Sequence, residues 1–190
     1  MTRSIALAAA TLFAGVATAA TAADAATWTV DPAKSTLGFT GSQTGTPFTG
    51  RFKSWTAAID FDPAHPEAGR VSAKIDTASA TTGDPQKDEA LPTPDWFDAS
   101  AFTTASFDAA GFAPKGGDAY ETTGKLTLRG ATRDVVLPFT LTVAGDQAHA
   151  VGHAKLVRTD YGVGQGAWTS GDYVALDVTV DLDLVATRKP

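Results

Sequence analysis

Between residues 36 and 185, apolar and polar residues alternate with a period of two in six separate runs. In the longest, 174–185, valines and leucines alternate with aspartates, alanine and threonine. A period of two puts one set on each face of a strand, whereas an amphipathic helix repeats every 3.6 residues. The pattern therefore predicts β-strands with one apolar and one polar face, in the segments 36–40, 57–62, 71–76, 125–129, 135–143 and 174–185.

Turn-forming residues separate these runs, among them Asp31-Pro32, the segment 41–47, Arg129-Gly130 and Gly145-Asp146. About eight or nine strands at hairpin spacing, with no helix between them, predict an all-β antiparallel sheet. Periodicity alone leaves open whether two sheets stack or one sheet closes into a barrel. The exception is the segment 81–101, which predicts one or two short helices beginning near Asp84, with Pro85 at the first helical position.

The first 25 residues have a different composition. Arg3 lies near the amino terminus, residues 5–20 are uncharged and largely apolar, and small residues follow in the patterns A-T-A and A-D-A. This order is typical of a cleaved secretory signal peptide. A membrane anchor needs about 20 strongly apolar residues, and much of this run is alanine. We therefore expect removal of residues 1–25, and a single exported domain over 26–190.

The charge and the absence of cysteine exclude several classes of function. The net charge is −6, and the expected cleavage removes one arginine and one aspartate together. An acidic chain is a poor partner for nucleic acid, and without a second long apolar segment we expect no stable membrane insertion. With no cysteine, the chain has no disulfide, no thiolate catalysis and no Cys-based zinc site.

Three alternating glycines, Gly162, Gly164 and Gly166, suggest a phosphate-binding loop. Such a loop needs a helix after the glycines, and here a turn and a strand follow, so we expect a sharp bend at the rim of the sheet. Arg158 and Asp160 lie two residues apart and are expected to share a strand face. They either fix this corner through an ion pair or hydrogen bonds, or form a polar rim that meets a ligand head group.

Catalytic and metal-binding patterns are weak. His149 and His153 fall in a predicted strand, where a spacing of four residues separates them by about 13 Å, too far for a shared metal. No G-x-S-x-G motif is present, and the acidic cluster near Asp84 and Asp88 suits helix capping. We expect no enzyme activity, no metal and no cofactor.

Seven motifs in one order give the chain its most specific signal. They are W-T-V-D-P-A-K-S (28–35), G-R-F-K-S-W (50–55), I-D-F-D-P (59–63), the segment 74–91, D-W-F-D-A (95–99) with S-F (106–107), G-K-L-T-L-R-G-A-T-R-D-V (124–135) and V-R-T-D-Y-G-V-G (157–164). In these motifs the chain resembles the YceI-like proteins. It departs from them at Lys34 and Ala90, where the family usually has histidine, and at Thr103, where proline is common.

The resemblance implies a single eight-stranded, lipocalin-like antiparallel barrel in the periplasm, whose cavity holds a long isoprenoid lipid. Glycine and alanine are abundant on the strands, so side chains are expected to leave the interior under-filled. Burying about ten CH₂ groups at about 0.8 kcal/mol each supports micromolar or tighter binding with few polar contacts. The candidate lining residues are Phe39, Phe52, Ile59, Phe107, Leu126, Phe139 and Trp168.

A second interpretation has a filled barrel that acts through its surface, as a stress-related structural or interaction module. A lipid carrier predicts a continuous tubular cavity, whereas this module predicts a packed interior and an exposed apolar patch. The sequence leaves the identity of the lipid and the formation of a homodimer open.

Overall fold

The computed structural model describes residues 26–189, so the expected signal peptide lies outside the described residues. Within this range twelve strands form one antiparallel sheet. The strands are β1 (Thr27–Val30), β2 (Thr36–Gln43), β3 (Thr46–Phe52), β4 (Trp55–Asp60), β5 (Arg70–Asp76), β6 (Ala80–Thr81), β7 (Thr104–Ala110), β8 (Ala113–Gly116), β9 (Ala119–Leu128), β10 (Ala131–Ala144), β11 (Gln147–Val157) and β12 (Asp177–Arg188).

The sheet closes into a barrel because several short strands are parts of longer ones. β1 and β2 both pair with β12, at opposite ends of that strand. In the same way β4 and β3 pair with β1 and β2, and β5 and β6 pair with β4 and β3. Counted in this way, eight strands run up and down, and the last closes on the first. The predicted eight-stranded antiparallel barrel is confirmed, and it has no open sheet edge along the ring.

Two hairpins turn on pairs of residues with positive φ. Thr44 and Gly45 have φ of 48° and 81°, and Arg129 and Gly130 have φ of 51° and 76°. Positive φ at both central residues defines the two-residue turn that suits the twist of antiparallel strands. The prediction of a turn over 41–47 was too wide, because β2 continues to Gln43 and β3 already contains Pro47.

One α-helix, α1 (Pro85–Ala90), lies in the described part of the chain. The Asp84 carboxylate caps it by accepting hydrogen bonds from the backbone N–H groups of Gln86 and Lys87, at 2.9 and 3.4 Å. The prediction of a helix starting near Asp84 is confirmed. No helix within residues 26–189 has the length and apolar character that crossing a bilayer would require.

The buried side chains form two clusters, one at each end of the barrel. At the first, which we call the lid end, Leu91 and Phe97 from the segment after α1 pack with Phe39 and Tyr161. At the other, the far end, the cluster is built around Trp28, Phe61 and Phe112. The separation of the two clusters leaves space between them.

Glycines inside the barrel allow aromatic rings to lie against the sheet. A Cβ atom built on Gly50 would lie 2.2 Å from the ring of Phe39, and one on Gly124 would lie 2.4 Å from the ring of Phe107. Neighbouring rings therefore take up part of the space that the glycines leave, which the sequence analysis did not anticipate.

Candidate functional site

A cavity of about 290 Å³ runs along the inside of the barrel. All eight strands of the ring contribute to its wall, and both core clusters lie on it, so it extends from the lid end toward the far end. On β12 the lining residues run from Val178 to Ala186. Eight steps at about 3.3 Å cover about 26 Å of strand, or about 20 Å along the axis of a barrel whose strands tilt by about 40°.

Small residues make room for the cavity on two walls. Ala57 on β4 lies opposite Ala73 on β5, and both line the cavity. Across the barrel, β11 contributes Ala148, Ala150 and Ala154 before its first large inward residue, Leu156. Because these side chains are short, they leave room for the cavity inside the barrel.

Six of the seven predicted lining residues face the cavity: Phe39, Phe52, Ile59, Phe107, Leu126 and Phe139. Trp168 is the exception and does not line it. Trp168 lies in a 3-10 helix, Gly166–Trp168, outside the strands, and its ring packs against Trp96 with centroids 5.6 Å apart. Trp96 lines the cavity in its place. The period-two argument fails at Trp168 because the chain there is no longer a strand.

Arg158 is only 4% exposed and holds the loop after β11 together. All three guanidinium nitrogens donate, and together they form five hydrogen bonds of 2.5–3.1 Å to backbone carbonyl oxygens. The acceptors belong to Val163, Trp168, Ser170, Val174 and Ala175. Burial lowers the pKa of Arg158 from its ordinary value. Two roles were expected for Arg158: to fix this corner of the barrel, or to meet a ligand head group. The structure shows the first, because hydrogen bonds from Arg158 hold the corner.

Asp160 takes no part in this arrangement. It is exposed, and Arg158 and Asp160 lie together in a 3-10 helix, Arg158–Tyr161, rather than on one strand face. Since a 3-10 helix turns by about 120° per residue, side chains two apart point in different directions. The expected shared strand face is therefore wrong, and within the described residues Arg158 and Asp160 form no ion pair.

The backbone conformation of this loop explains why it contains three glycines. Gly162, Gly164 and Gly166 have φ of 67°, 88° and 59°, in the left-handed region that favours glycine. A Cβ atom on Gly164 would also lie 1.9 Å from Nη1 of Arg158. The loop forms a bend around a guanidinium group, and the expectation of a bend rather than a phosphate site agrees with this geometry.

Side chains and backbone groups from three segments hold the lid end in place. The Arg129 guanidinium donates to the carbonyl oxygens of Pro94 and Trp96, and the Asp95 carbonyl oxygen accepts from the N–H groups of Gly164 and Gln165 at 2.8 and 2.7 Å. The segment after α1 is thus tied to the β9–β10 hairpin and to the glycine-rich loop. We call residues 81–103 the lid segment.

Asp88 ties α1 to the barrel. Its carboxylate accepts hydrogen bonds from the Thr81 hydroxyl at 2.5 Å, the Thr82 N–H at 2.6 Å and the Thr82 hydroxyl at 2.9 Å. These bonds, chiefly the one from the Thr81 hydroxyl, lower the pKa of Asp88 to about 2. The carboxylate is therefore charged across the neutral range and holds the start of the lid segment on β6.

Tyr161 lines the cavity at the lid end, although it is not among the lining residues predicted from the sequence. Its side chain is 3% exposed, and burial raises the pKa of its hydroxyl. It belongs to the V-R-T-D-Y-G-V-G motif, which could have drawn attention to it. Nothing in the sequence, however, distinguished a tyrosine that lines the cavity from one that only fills the core.

His149 and His153 lie on the outer face of β11, each paired with a carboxylate of β12. His149 contacts Asp183 and His153 contacts Asp181, both at 2.7 Å. In the described part of the chain, no three histidine, aspartate or glutamate side chains come together as metal ligands could. Both pairs point away from the cavity.

Comparison with known proteins agrees with this architecture. The model of the YceI-like domain family matches residues 28–186. The chain belongs to the YceI-like family. The chain is 36% identical to BcnA of Burkholderia cenocepacia, whose structure has been solved. The two structures match over 83% of this chain and 99% of the BcnA chain, with a TM-score of 0.81.

Two further relatives extend the comparison. A UPF0312 protein of Pseudomonas syringae pathovar tomato is 28% identical over 138 residues, 70% of this chain and 71% of its own. A polyisoprenoid-binding domain from Saccharophagus degradans has the same fold, with a TM-score of 0.67 and a sequence identity of 16%. The match covers 85% of this chain and 98% of that domain's chain.

Proposed function

We propose that this YceI-like barrel is a periplasmic binding or carrier protein for a hydrophobic isoprenoid lipid, either a quinone or a polyprenyl chain. The observation that carries the proposal is the apolar cavity of about 290 Å³ along the barrel. Its volume lies near the lower limit of small-molecule sites, about 300 Å³. Its elongated shape suits a chain-like ligand better than a compact one.

The chemistry of the wall supports the same class of ligand. Apart from the indole N–H groups, the polar side chains on it are Thr122, Arg158 and Tyr161, against more than thirty apolar positions or glycine. The Thr122 hydroxyl already donates to the Gly111 carbonyl oxygen at 2.8 Å. A ligand held here gains its affinity by leaving water, at about 25 cal/mol per Å² of apolar surface.

The family supports the proposal indirectly. The Saccharophagus relative is described as a polyisoprenoid-binding domain, which fits a lipid in the barrel. Export to the periplasm rests on the expected signal peptide over residues 1–25. The second interpretation, a filled barrel acting through its surface, requires a packed interior and is disfavoured by the cavity.

Native mass spectrometry tests the proposal. The mature protein, purified from the exporting cell without detergent, is expected to carry one extra mass that extracts as a long-chain isoprenoid. An apo mass that persists after incubation with quinones and polyprenyl lipids would contradict the proposal.

A pair of variants tests where the lipid binds. Ala57 lines the cavity and Ala58, the next residue, is exposed on the outer face of β4. We expect Ala57→Phe to place a ring in the cavity and to lower lipid uptake at least tenfold, whereas Ala58→Phe leaves uptake unchanged. Equal uptake by two folded variants would place the lipid outside the barrel.

A further inference from the structure

The two ends of the cavity are closed in different ways. At the far end, Trp28 lies in β1, which pairs with β4 on one side and with β12 on the other. At the lid end, Leu91 and Phe97 belong to the lid segment, and in the described structure residues 82–103 form no strand. Opening the far end would break strand pairing, whereas the lid end can open with the barrel intact.

Three aromatic side chains close the far end, and we call them the floor: Trp28, Phe61 and Phe112. All three line the cavity and are only 3–6% exposed. The Trp28 indole N–H donates to the Phe61 carbonyl oxygen at 2.9 Å, and the rings of Phe61 and Phe112 have centroids 5.6 Å apart. The Arg188 guanidinium lies over the Trp28 ring, 5.1 Å from its centroid. A hydrocarbon chain that comes from the lid end must stop at this floor.

Phe112 fills the space between the cavity and the backbone behind the floor. It lies between β7 and β8, and its N–H donates to the Pro66 carbonyl oxygen at 2.9 Å. A Cβ atom built on Gly69 would lie 2.6 Å from the Phe112 ring, and Gly69 is itself buried. Removing the ring would therefore lengthen the cavity as far as the backbone at Gly69.

Ala150 offers the opposite change from another wall. It lies on β11, paired with Leu141 of β10 and Leu184 of β12, and it packs against the far-end cluster. Ala150 lines the cavity and is only half-buried, so its methyl group borders open space. A larger side chain at this position would shorten the cavity.

We propose that the floor limits the length of the isoprenoid chain and that Phe112 sets the limit. The chain enters under the lid segment and extends until its end reaches Phe112. Each isoprene unit that fits adds favourable burial of CH₂ groups, and units beyond the limit add none. Because an apolar wall does not distinguish one isoprene unit from the next, the limit comes from where the cavity ends. This inference rests on the proposed function, since it needs an isoprenoid in the cavity.

Competition among prenols tests the limit, because farnesol, geranylgeraniol, geranylfarnesol and solanesol share one head group and differ in chain length. The mature protein is mixed with equal amounts of all four, and native mass spectrometry shows which are bound. For the wild type we expect binding to rise about tenfold or more with each isoprene unit up to one length, and then to level off. Phe112→Ala should move this limit to a longer prenol, and Ala150→Leu should move it to a shorter one.

Tyr120→Ala is the matched control. Tyr120 packs against Phe61 and Phe139 in the same cluster, with ring centroids 6.0 and 5.7 Å apart, but it does not line the cavity. It should keep the limit of the wild type, and a shift equal to that of Phe112→Ala would overturn the role of Phe112. Phe112→Leu, a smaller change, should shift the limit in the same direction and serves where Phe112→Ala does not fold.

Two further outcomes would overturn the inference: binding by the wild type that does not depend on chain length, and a limit that stays the same in folded Phe112 and Ala150 variants. Either outcome would leave the proposed function standing, because prenols would still bind. Binding of none of the four prenols by the wild type would instead overturn the proposed function itself.

Discussion

At the scale of single residues, the clearest relation is between Arg158 and Gly164. A buried guanidinium without a neighbouring carboxylate is costly, and here the carbonyl oxygens of one loop surround it. The loop can wrap so closely only because residue 164 has no side chain and adopts a φ of 88°. Of the alternating glycines that resemble a nucleotide-binding motif, Gly164 is thus explained by one arginine, and all three have the positive φ that favours glycine.

Gly164→Ala tests this relation. The new methyl group would overlap Nη1 of Arg158 at 1.9 Å, in addition to the cost of about 1–2 kcal/mol for a left-handed residue. Gly166→Ala is the control, because its φ is also positive, 59°, but nothing lies within 4 Å of its Cβ position. In urea unfolding we expect Gly164→Ala to lose about 2 kcal/mol more than Gly166→Ala. Equal losses would mean that the guanidinium moves aside at no cost.

Single positions were predictable where the backbone is a regular strand. The alternation along β10 puts Phe139 inside, and the structure agrees, because a strand repeats its side-chain direction every two residues. The same reasoning failed for Trp168 and for the Arg158–Asp160 pair, which both lie in 3-10 helices. Tyr161 was missed as a lining residue because it also lies in a 3-10 helix, where a period of two does not predict which side chains face inward.

At the scale of elements, the lid segment is held by a few polar contacts in addition to its buried Leu91 and Phe97. Its first turn depends on Asp84 as a cap and Asp88 as a tie to β6, while Arg129 holds its middle. The cap was readable from the sequence, because an aspartate before a proline marks a helix start. The tie formed by Asp88 could not be predicted in this way, because its carboxylate bonds to Thr81 and Thr82, which lie before the helix, and not to the helix itself.

The tie at Asp88 predicts a dependence of stability on pH. The pKa of Asp88 is about 2 in the folded protein against an ordinary 3.8, so its stabilising effect is complete above about pH 4. The effect is lost as the pH falls toward 2, because the protonated carboxyl no longer accepts these charge-assisted hydrogen bonds. We expect Asp88→Asn to unfold at a lower temperature than the wild type at pH 7, with a difference that shrinks below pH 4.

Asp172→Asn, at an exposed aspartate outside the lid segment, serves as the control for removing a charge. It should follow the wild type at every pH, in thermal unfolding monitored by circular dichroism. A difference for Asp88→Asn that stays constant from pH 7 to pH 2.5 would show that the carboxylate charge contributes nothing to the tie.

At the scale of the whole molecule, the cavity follows from the order of large and small inward residues. Aromatic side chains concentrate at the two ends, in clusters around Phe61 and around Phe97, while Ala57, Ala73 and Ala154, which belong to neither cluster, also line the cavity. The closed barrel could be expected from the strand pattern together with the family motifs. The cavity was harder to predict, because its volume depends on which inward residues of different strands lie at one level.

A cavity of this kind predicts that ligand binding and folding stability are linked. A ligand that binds only the folded barrel stabilises it by about 2.7 kcal/mol at a concentration one hundred times its dissociation constant. At about 2–4 °C per kcal/mol for a domain of this size, the midpoint of thermal unfolding should rise by about 5–11 °C. With a quinone as the ligand, the unfolding midpoint of Ala57→Phe should not rise, because the new ring occupies the site. The midpoint of Ala58→Phe should rise like that of the wild type. If the midpoint rises equally in all three proteins, the ligand stabilises the outer surface of the barrel, and the small residues of the wall serve another purpose than making room for it.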